Sequence, residues 1–304
     1  MLEYVVAVAE ERSFSKAAKR LYISQPSLSQ GIIALERQIG MPLFDRSTVP
    51  LSLTYAGEKY VEYAVKMLNL QHEMEMGMGD VRGDHTGRLI VGISLFRNTT
   101  ILSHVFPVFH KVYPNVKLIV REAINESIIE MAASGQLDVG FINRFPPSDH
   151  TCIELLTDRV MLAVGREHPI CARYDFEKEP YPRIDLNVFR DEFFALTSLN
   201  SNLRSISDDI FRDYGFIPKI AFETFSLELT HQLAVKNCMP TVILDSLLRL
   251  YPKERRARYF LFDRGDYTNS LYICHKKNKY VTHIMRDFIR ITQEVVAQNA
   301  AARS

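Results

Sequence analysis

Amide and hydroxyl side chains cluster on one face of a predicted helix near the start of the chain. The face consists of Gln25, Pro26, Ser27, Ser29 and Gln30. A glutamine amide can donate and accept one hydrogen bond each, which matches the major-groove edge of adenine and contributes about 1 to 3 kcal/mol of discrimination. Three nearby cations, Lys16, Arg20 and Arg46, suit phosphate contacts, which position a protein on DNA without reading sequence. The alternative for each residue is an ordinary solvated helix face.

Two short helices joined by a tight turn are predicted to hold this face. In the first helix, which Ser13 caps, the apolar residues form one helical stripe. The stripe consists of Phe14, Ala17, Ala18 and Leu21. The second helix is predicted from about Gln25 to Ile39, with Ser24 as its N-cap and Gly40 after its last turn. A polar face near the N-terminus of such a second helix is what insertion into the major groove requires.

A small wing and a local positive charge accompany the helices. Apolar anchors on either side of a tip at Asp45 to Pro50 predict two short strands. From Arg12 to Arg46 there are six basic and two acidic residues, although the whole chain has a net charge of only +1. Because the position of charge matters more than its total for a polyanionic partner, the basic end indicates nucleic-acid binding.

A longer helix is predicted from Thr54 to about Met78. Its residues Tyr60, Ala64, Met67, Gln71, Met74 and Met78 follow one another at spacings of four and three. Such a heptad pattern buries best against the same helix of a second chain, so we expect dimerisation through Tyr60, Ala64, Met67 and Met74. Packing onto its own domain is the alternative. Gly77, Gly79, Gly83 and Gly87 then predict a linker.

The remaining two thirds of the chain alternate between β-rich and helical patterns. The first run of these segments comprises Leu89 to Ile93, a helix near Thr100 to Tyr113, Val116 to Val120, a helix near Ser127 to Ser134, and Val139 to Ile142. A similar run follows, so we predict a mostly parallel sheet covered by helices and a second lobe of the same kind. Ser94 ends the first strand, and Asn98, Thr99 and Thr100 are expected at the helix start, where backbone N–H groups bind anions or are simply capped.

Several functional classes lack their sequence signals. There is no secretory leader and no apolar run of membrane-spanning length, so we expect a cytoplasmic protein without a membrane partner. The four cysteines show no metal-binding spacing, and we expect reduced thiols and no metal. No nucleophile elbow, phosphate loop or dinucleotide motif is present, so we predict neither catalysis nor a cofactor.

The segment from Ser13 to Gly57 resembles the LysR-type transcriptional regulators. It reads SFSKAAKRLYISQPSLSQGIIALERQIGMPLFDRSTVPLSLTYAG. The residues that carry the resemblance are Ser13, Phe14, Ala17, Ala18, Leu21, Ser24, Gln25, Ser29, Ile32, Leu35, Glu36, Gly40, Leu43, Phe44, Arg46, Leu53, Thr54, Ala56 and Gly57. A looser likeness continues in GRLIVGIS, FHKVYPNVKL, SGQLDVGF, REHPI and FRDYGFIP. Because members of the family have several residues more before the first helix, the resemblance leaves open a start upstream of Met1.

The resemblance implies an α/β protein of three parts. These are a winged helix-turn-helix over 1–57, a linker and dimerisation helix over 58–87, and a two-lobed, periplasmic-binding-protein-like effector domain over 88–304. Lobe I would take about 88–162 and 267–304, and lobe II about 163–266. The implied protein is a bacterial DNA-binding regulator, a homodimer or homotetramer, which binds double-stranded DNA, a small polar or anionic co-inducer and, in one further contact, RNA polymerase.

The resemblance also places candidate residues. Thr54 joins the DNA-binding set. The effector-binding candidates are Ser94, Asn98, Thr99, Thr100, Asn125, Asn143, Thr197, Ser198, Asn200, Ser201, Arg204 and Thr224. Arg204 would clamp a carboxylate or pair with Asp208 one helical turn on, and we favour the ion pair.

Two other functions use a similar bilobal fold. A solute-binding protein would need an export signal, which the sequence lacks. A cytoplasmic transferase with reactive residues in the cleft is compatible with the fold, since fold alone does not fix function, but would leave the basic helix-turn-helix unused.

Overall fold

The computed structural model describes residues 1–83, 85–143, 147–252 and 257–301. The chain divides into two compact units, which are Met1–Asp84 with Ser134–Gln136, and His85–Ala133 with Leu137–Ser304. The last three residues of the predicted lobe I, 302–304, lie outside the described residues.

The first unit is helical with a two-stranded wing. Its elements are α1 (Leu2–Glu11), α2 (Phe14–Arg20), α3 (Gln25–Ile39), β1 (Phe44–Asp45), β2 (Ser52–Leu53) and α4 (Tyr55–Arg82). The apolar stripe of α2 and the inner face of α3 form the core with α1. Phe14 of α2 packs against Phe44 of the wing in an edge-to-face contact, with the ring centroids 5.7 Å apart. The predicted helix-turn-helix and wing are confirmed.

Local capping residues fix the bounds of α2 and α3. The Ser13 hydroxyl accepts a hydrogen bond from the Lys16 backbone N–H, and the Ser24 hydroxyl accepts one from the Ser27 N–H. Each bond satisfies a backbone donor that has no partner inside the first turn. At the other end of α3, Gly40 has a φ of 80°, a left-handed conformation that glycine adopts without strain.

The wing is anchored to α3 by one carboxylate. Glu36 Oε1 accepts hydrogen bonds from the backbone N–H groups of Leu43, at 2.8 Å, and Phe44, at 3.3 Å. Its other oxygen, Oε2, lies 3.0 Å from Arg46 Nη2. A single side chain of α3 therefore holds both the backbone and a cation of the wing.

Helix α4 differs from its prediction in length and in its exposed face. It continues through Gly77 and Gly79 and ends at Arg82, because helical hydrogen bonding tolerates isolated glycines, and Gly83 supplies the left-handed cap. Of the predicted heptad positions, Ala64 is buried and Tyr60 packs on the core of its own unit, so these two are not free for a second chain. The exposed apolar stripe instead comprises Tyr63, Met67, Leu70, Met74, Met78 and Val81.

The second unit combines one large sheet, a small sheet and covering helices. Its strands are β3 (Thr86–Ile93), β4 (Asn115–Glu122), β5 (Val139–Asn143), β6 (His150–Val164), β7 (Arg183–Ile184), β8 (Phe193–Thr197), β9 (Lys219–Thr224), β10 (Thr241–Leu244), β11 (Arg258–Phe262) and β12 (Thr268–Lys276). Its α-helices are α5 (Leu95–Arg97), α6 (Ser103–Val112), α7 (Asn125–Ala133), α8 (Asn202–Asp213), α9 (Leu227–Val235) and α10 (His283–Ala301). A π-helical stretch, Asn98–Leu102, joins α5 to α6.

The large sheet is mixed, which corrects the prediction of a mostly parallel one. Its order is β4-β3-β5-β12-β6-β11-β7, with β10 also paired to β6. Strand β3 runs parallel to β4 and β5, as the alternating pattern predicts, but the long strands β6 and β12 are antiparallel to their neighbours. The pairing partners of these two strands are too distant in sequence for a local pattern to reveal.

A disulfide joins strands β6 and β12, which corrects the expectation of four reduced thiols. Cys152 of β6 and Cys274 of β12 are direct partners in the antiparallel register, and their sulfur atoms are 2.09 Å apart. Cys171 and Cys238 are free. The pair is separated by 122 residues, so spacing rules that seek nearby cysteines do not detect it.

Within the part of the chain that the structure describes, no helix combines the length and the apolar character needed to cross a membrane.

Candidate DNA-binding face and ligand cleft

The polar face of α3 is exposed as the sequence predicts. Gln25, Pro26, Ser27 and Gln30 are exposed, and Ser29 is half-buried. The Ser27 hydroxyl lies 2.7 Å from the Ser24 hydroxyl. Within the described residues neither Gln25 nor Gln30 has a side-chain hydrogen-bond partner, so both amides are free to bind another molecule. Base contact by these residues stays a prediction.

The three predicted phosphate-binding cations differ in how free they are. Lys16 is exposed and has no ion-pair partner among the described residues. Arg20 is paired with Glu10 and Glu11, and the hydrogen bond to Glu10 is the largest effect that raises its pKa. Arg46 is paired with Glu36 and stacks over the Phe14 ring at 5.3 Å. Lys16 is therefore the most available cation of the three.

Thr54 serves the fold. Its hydroxyl donates a hydrogen bond to the Pro42 carbonyl, at 2.7 Å, and accepts one from the Gly57 N–H, at 3.0 Å. It thereby caps α4 and ties the helix to the segment before the wing. Its proton is already used, which argues against the predicted role as a DNA donor.

A cavity of about 280 Å³ opens in the second unit where several strands end. Residues that follow or end β3, β4, β5, β8 and β10 line it, together with the first residues of α5, α7 and α8. Ligands of open α/β sheets bind beyond the carboxyl ends of the strands, because the helix N-termini and loop side chains meet there. The cavity is thus the best candidate for a ligand site in this unit.

Half of the predicted effector-binding residues line this cavity. They are Ser94, Asn125, Asn143, Thr197, Asn200 and Ser201. The other predicted residues do not line it, and they are Asn98, Thr99, Thr100, Ser198, Arg204 and Thr224. The structure therefore narrows the site to strand ends and to the caps of α7 and α8.

The predicted anion site at Asn98, Thr99 and Thr100 is corrected by where the helix begins. Ser94 is the N-cap, so the helical backbone starts at Leu95, before the three residues that were expected at the helix start. The Thr100 hydroxyl donates to the Phe96 carbonyl, 3.0 Å away in the preceding turn. These side chains are consequently part of the helix body rather than of its open end.

Arg204 is held in ion pairs, and one of them is the pair with Asp208 that was favoured from the sequence over a carboxylate clamp. Its Nε lies 2.9 Å from Asp208 Oδ1, and its Nη1 lies 2.9 Å from Glu223 Oε2. It also donates to the Thr197 carbonyl at the end of β8. The guanidinium thus braces α8 against the small sheet instead of reaching into the cavity.

A buried ion pair beneath the cavity was not anticipated from the sequence. Arg97 and Asp158 are 1% and 0% exposed, and Arg97 Nη2 lies 2.6 Å from Asp158 Oδ2. Arg97 Nη1 also donates to the Ser246 hydroxyl, at 3.3 Å. Asp245 lies next to Asp158, and burial together with the charge of Asp158 raises the pKa of Asp245. Since these residues are far apart in the sequence, no local signal pointed to them.

Three asparagine side chains in the cavity wall form a hydrogen-bonded chain, of which only one member was predicted from the sequence. Asn202 Nδ2 donates to Asn269 Oδ1, at 2.6 Å, and Asn269 Nδ2 donates to Asn143 Oδ1, at 3.4 Å. Asn143 was predicted, but Asn202 and Asn269 were not, although all three line the cavity. Asn269 lies in β12, a strand whose return to this place depends on the tertiary fold.

Comparisons with known proteins cover almost the whole chain. Residues 1–58 match the family model described as a bacterial regulatory helix-turn-helix protein of the lysR family, and residues 82–297 match the LysR substrate binding domain. The boundary between the two family models agrees with the division of the structure into two units. The first model covers the winged helix-turn-helix, and the second covers the unit with the cavity.

Individual proteins show the same relationship. The uncharacterized HTH-type transcriptional regulator YcgK of Bacillus subtilis (strain 168) is 26% identical over 310 residues, which cover 98% of this chain and 94% of YcgK. The uncharacterized regulator YwqM of the same organism is 31% identical over 77% of this chain and 76% of YwqM. The structure of full-length CbnR with its target DNA has a TM-score of 0.66 at 21% identity, covering 97% of this chain and 98% of CbnR.

The helix-turn-helix with free amides, the α/β unit with its cavity and the matches to both domain models agree. The chain therefore belongs to the LysR family and is a DNA-binding transcriptional regulator with a substrate-binding domain.

Proposed function

We propose that this regulator binds a specific double-stranded DNA site as a dimer or tetramer, and that a small co-inducer in the cavity changes its DNA binding. The observation that carries the proposal is the cavity at the strand ends, in the same chain as the exposed amides of α3. A ligand there shifts DNA binding only if it has different affinities for two arrangements of the protein. The proposed place of action is the bacterial cytoplasm, with RNA polymerase as a further partner.

Two features support specific DNA recognition. The free amides of Gln25 and Gln30 lie near the N-terminus of α3, where helices of this motif contact base edges. CbnR, which shares the fold, has been crystallised with its target DNA. We propose the same use of α3 here, with Lys16 holding a phosphate.

Replacing Gln25 by alanine should weaken binding to the specific site about 5- to 100-fold and leave non-specific binding unchanged, because it removes base contacts but no charge. The specific site is obtained by selection from a randomised DNA library, and affinities are measured by fluorescence anisotropy at several salt concentrations. Gln38→Ala, on the opposite side of α3, is the matched control and should bind normally. Equal affinities of Gln25→Ala and Gln38→Ala would contradict the assignment of this face.

Dimerisation is proposed through the exposed stripe of α4 defined above. Its six apolar residues recur at spacings of three and four, and each is more than half exposed. An apolar stripe of this length on one helix is typical of a contact with a second helix.

The variant Met74→Glu should weaken self-association by about 10-fold or more, because an unpaired carboxylate would be buried at the contact. Sedimentation velocity over a range of protein concentrations measures this. Val49→Glu places the same charge on an exposed apolar residue of the wing and should leave self-association unchanged. A Met74→Glu protein that associates as tightly as the native chain would place the contact elsewhere.

A further inference from the structure

We propose that the cavity binds an uncharged molecule in which a hydrogen-bond-accepting oxygen is attached to an apolar body. The inference rests on the proposed function, in which this cavity is the co-inducer site. It narrows the expected small polar or anionic ligand to an uncharged one and is carried by the direction of the hydrogen-bonding groups of Asn143, Asn125 and Thr197.

The amide of Asn143 has its donor side free. Asn143 is only 8% exposed, and its Oδ1 faces Arg97 Nη2, at 3.5 Å, and Asn269 Nδ2, at 3.4 Å. Because a guanidinium has donors only, the atom that faces Arg97 must be the amide oxygen. The Nδ2 group of Asn143 therefore points away from the arginine, and it has no partner among the described residues. Asn143 lines the cavity, so a ligand there can supply the acceptor.

Asn125 and Thr197 each add one free donor. Asn125 Oδ1 accepts a hydrogen bond from the Asn143 backbone N–H, at 2.7 Å, which again assigns the oxygen and leaves Nδ2 free. Thr197 is 5% exposed, and its oxygen accepts a hydrogen bond from the Ser201 hydroxyl, at 2.7 Å. The Thr197 proton then has no acceptor within the described residues. The three donors come from the end of β5, the first residue of α7 and the end of β8, and all three residues line the same cavity.

No cation of the described cavity wall is available for an anionic ligand. Arg97 is the cationic residue of the wall, and its charge is matched by Asp158 at 2.6 Å. Glu122, at the end of β4, adds a negative charge to the wall. An anionic ligand would lose its hydration without gaining a free counter-charge, whereas the neutral donors satisfy a carbonyl oxygen. A cationic group would offer these donors no acceptor.

The helix N-termini do not reverse this balance. In α8 the cap residue Ser201 already accepts the Arg204 N–H, at 3.1 Å. Each helix N-terminus has a charge of about +0.5, so those of α7 and α8 together only offset the single negative charge of Glu122.

The rest of the wall is apolar and fits the body of the ligand. Leu95, Phe96, Ile124, Phe225 and Leu227 are among the apolar residues that line it. A cavity of about 280 Å³ accommodates a small aliphatic or aromatic body beside the polar group.

Three probes of equal chain length test the proposal, namely hexanamide, hexanoate and hexylammonium. They are titrated into the full-length protein near pH 7, where the second is an anion and the third a cation. Isothermal titration calorimetry should show saturable binding of hexanamide, with Kd on the order of 1 mM as for other fragments, and at least about 10-fold weaker binding of the two ions. Tighter binding of hexanoate, or no binding of any probe, would overturn the proposal.

Two variants connect the binding to the cavity. Thr197→Val removes one donor at nearly constant shape and should weaken hexanamide about 5-fold, whereas Thr151→Val on the exposed part of β6 should have no effect. Asn125→Asp keeps the oxygen that accepts from Asn143 but replaces the free donor by a carboxylate oxygen. It should lose hexanamide and bind hexylammonium at least about 10-fold tighter than the native protein. Unchanged preferences in Asn125→Asp would refute the assignment of the donors.

The proposed function is tested separately by DNA binding. If the selected DNA binds and hexanoate is preferred, the uncharged class is wrong while the regulator proposal stands. If no DNA sequence is enriched, the proposed function fails whichever probe the cavity prefers.

Discussion

Replacing Asp158 by alanine is expected to lower the free energy of unfolding of the α/β unit by about 3 to 5 kcal/mol. The change leaves the Arg97 guanidinium fully buried without its ion-pair partner, beside the Ser246 hydroxyl, the Asn143 side-chain oxygen and the Phe96 ring. Neutral acceptors do not balance a buried charge, so the unit opens or the cation moves to water. Urea unfolding followed by circular dichroism gives the free energy, and hydrogen exchange locates the change around β6 and α5.

Two further variants separate loss of the charge pair from general damage. The double variant Arg97→Met and Asp158→Leu removes both charges and should recover most of the stability, because apolar replacement of a buried pair is often nearly neutral. Asp266→Ala breaks the exposed pair with Arg183 and should cost at most about 1 kcal/mol. If Asp158→Ala costs no more than Asp266→Ala, the buried pair does not hold the cavity floor.

Replacing Gly57 by alanine is expected to destabilise the winged helix-turn-helix by about 3 kcal/mol and to weaken all DNA binding. A Cβ atom at this position would lie 1.9 Å from the Leu43 carbonyl oxygen, which is backbone and cannot rotate away. That same oxygen accepts the Thr54 N–H at 3.0 Å, so relief of the clash would pull α4 from the wing. Thermal unfolding and anisotropy with non-specific DNA measure the two effects.

Gly79 provides the matched control in the same helix. A Cβ at this position meets no atom within 4 Å, so Gly79→Ala should raise helix stability by up to about 1 kcal/mol. Opposite signs for the two substitutions are expected. Stabilisation by both would show that α4 can move away from Leu43 at no cost.

The parts of the fold that depend on neighbouring residues could be predicted from the sequence. The bounds of α3 follow from Ser24 and Gly40, because capping groups act within one helical turn. The wing follows from its apolar anchors for the same reason. By contrast, the full length of β6 could not be predicted, since its first ten residues mix polar and apolar types without a strict alternation.

Features that depend on distant residues could not be predicted. The disulfide needs the register of β6 against β12, which pairs residues more than one hundred positions apart in the sequence. On α4, spacing alone gave the face of the stripe correctly at Met67 and Met74 but did not reveal that Tyr60 and Ala64 turn to their own core.

In the second unit, the family resemblance placed Asn125, Asn143 and Thr197 among the effector-binding candidates, and all three line the cavity. The sequence could not show whether the charged residues of the cavity wall are paired. Whether an arginine is free depends on which carboxylate folds against it, and Asp158 reaches Arg97 from 61 positions away in the sequence. The proposed ligand class therefore depends on the structure and not on the sequence, whereas six of the twelve predicted effector-binding residues do line the cavity.

The order of the large sheet also constrains how the protein is made. Strand β12 lies between β5 and β6, although it is synthesised more than one hundred residues after them. On the ribosome, lobe II can complete its own strands while β5 still lacks its neighbour, and lobe I closes only when the last part of the chain emerges. During that interval the edge of β5 has open backbone hydrogen-bonding groups, so the newly made chain is most exposed to mispairing just before synthesis ends.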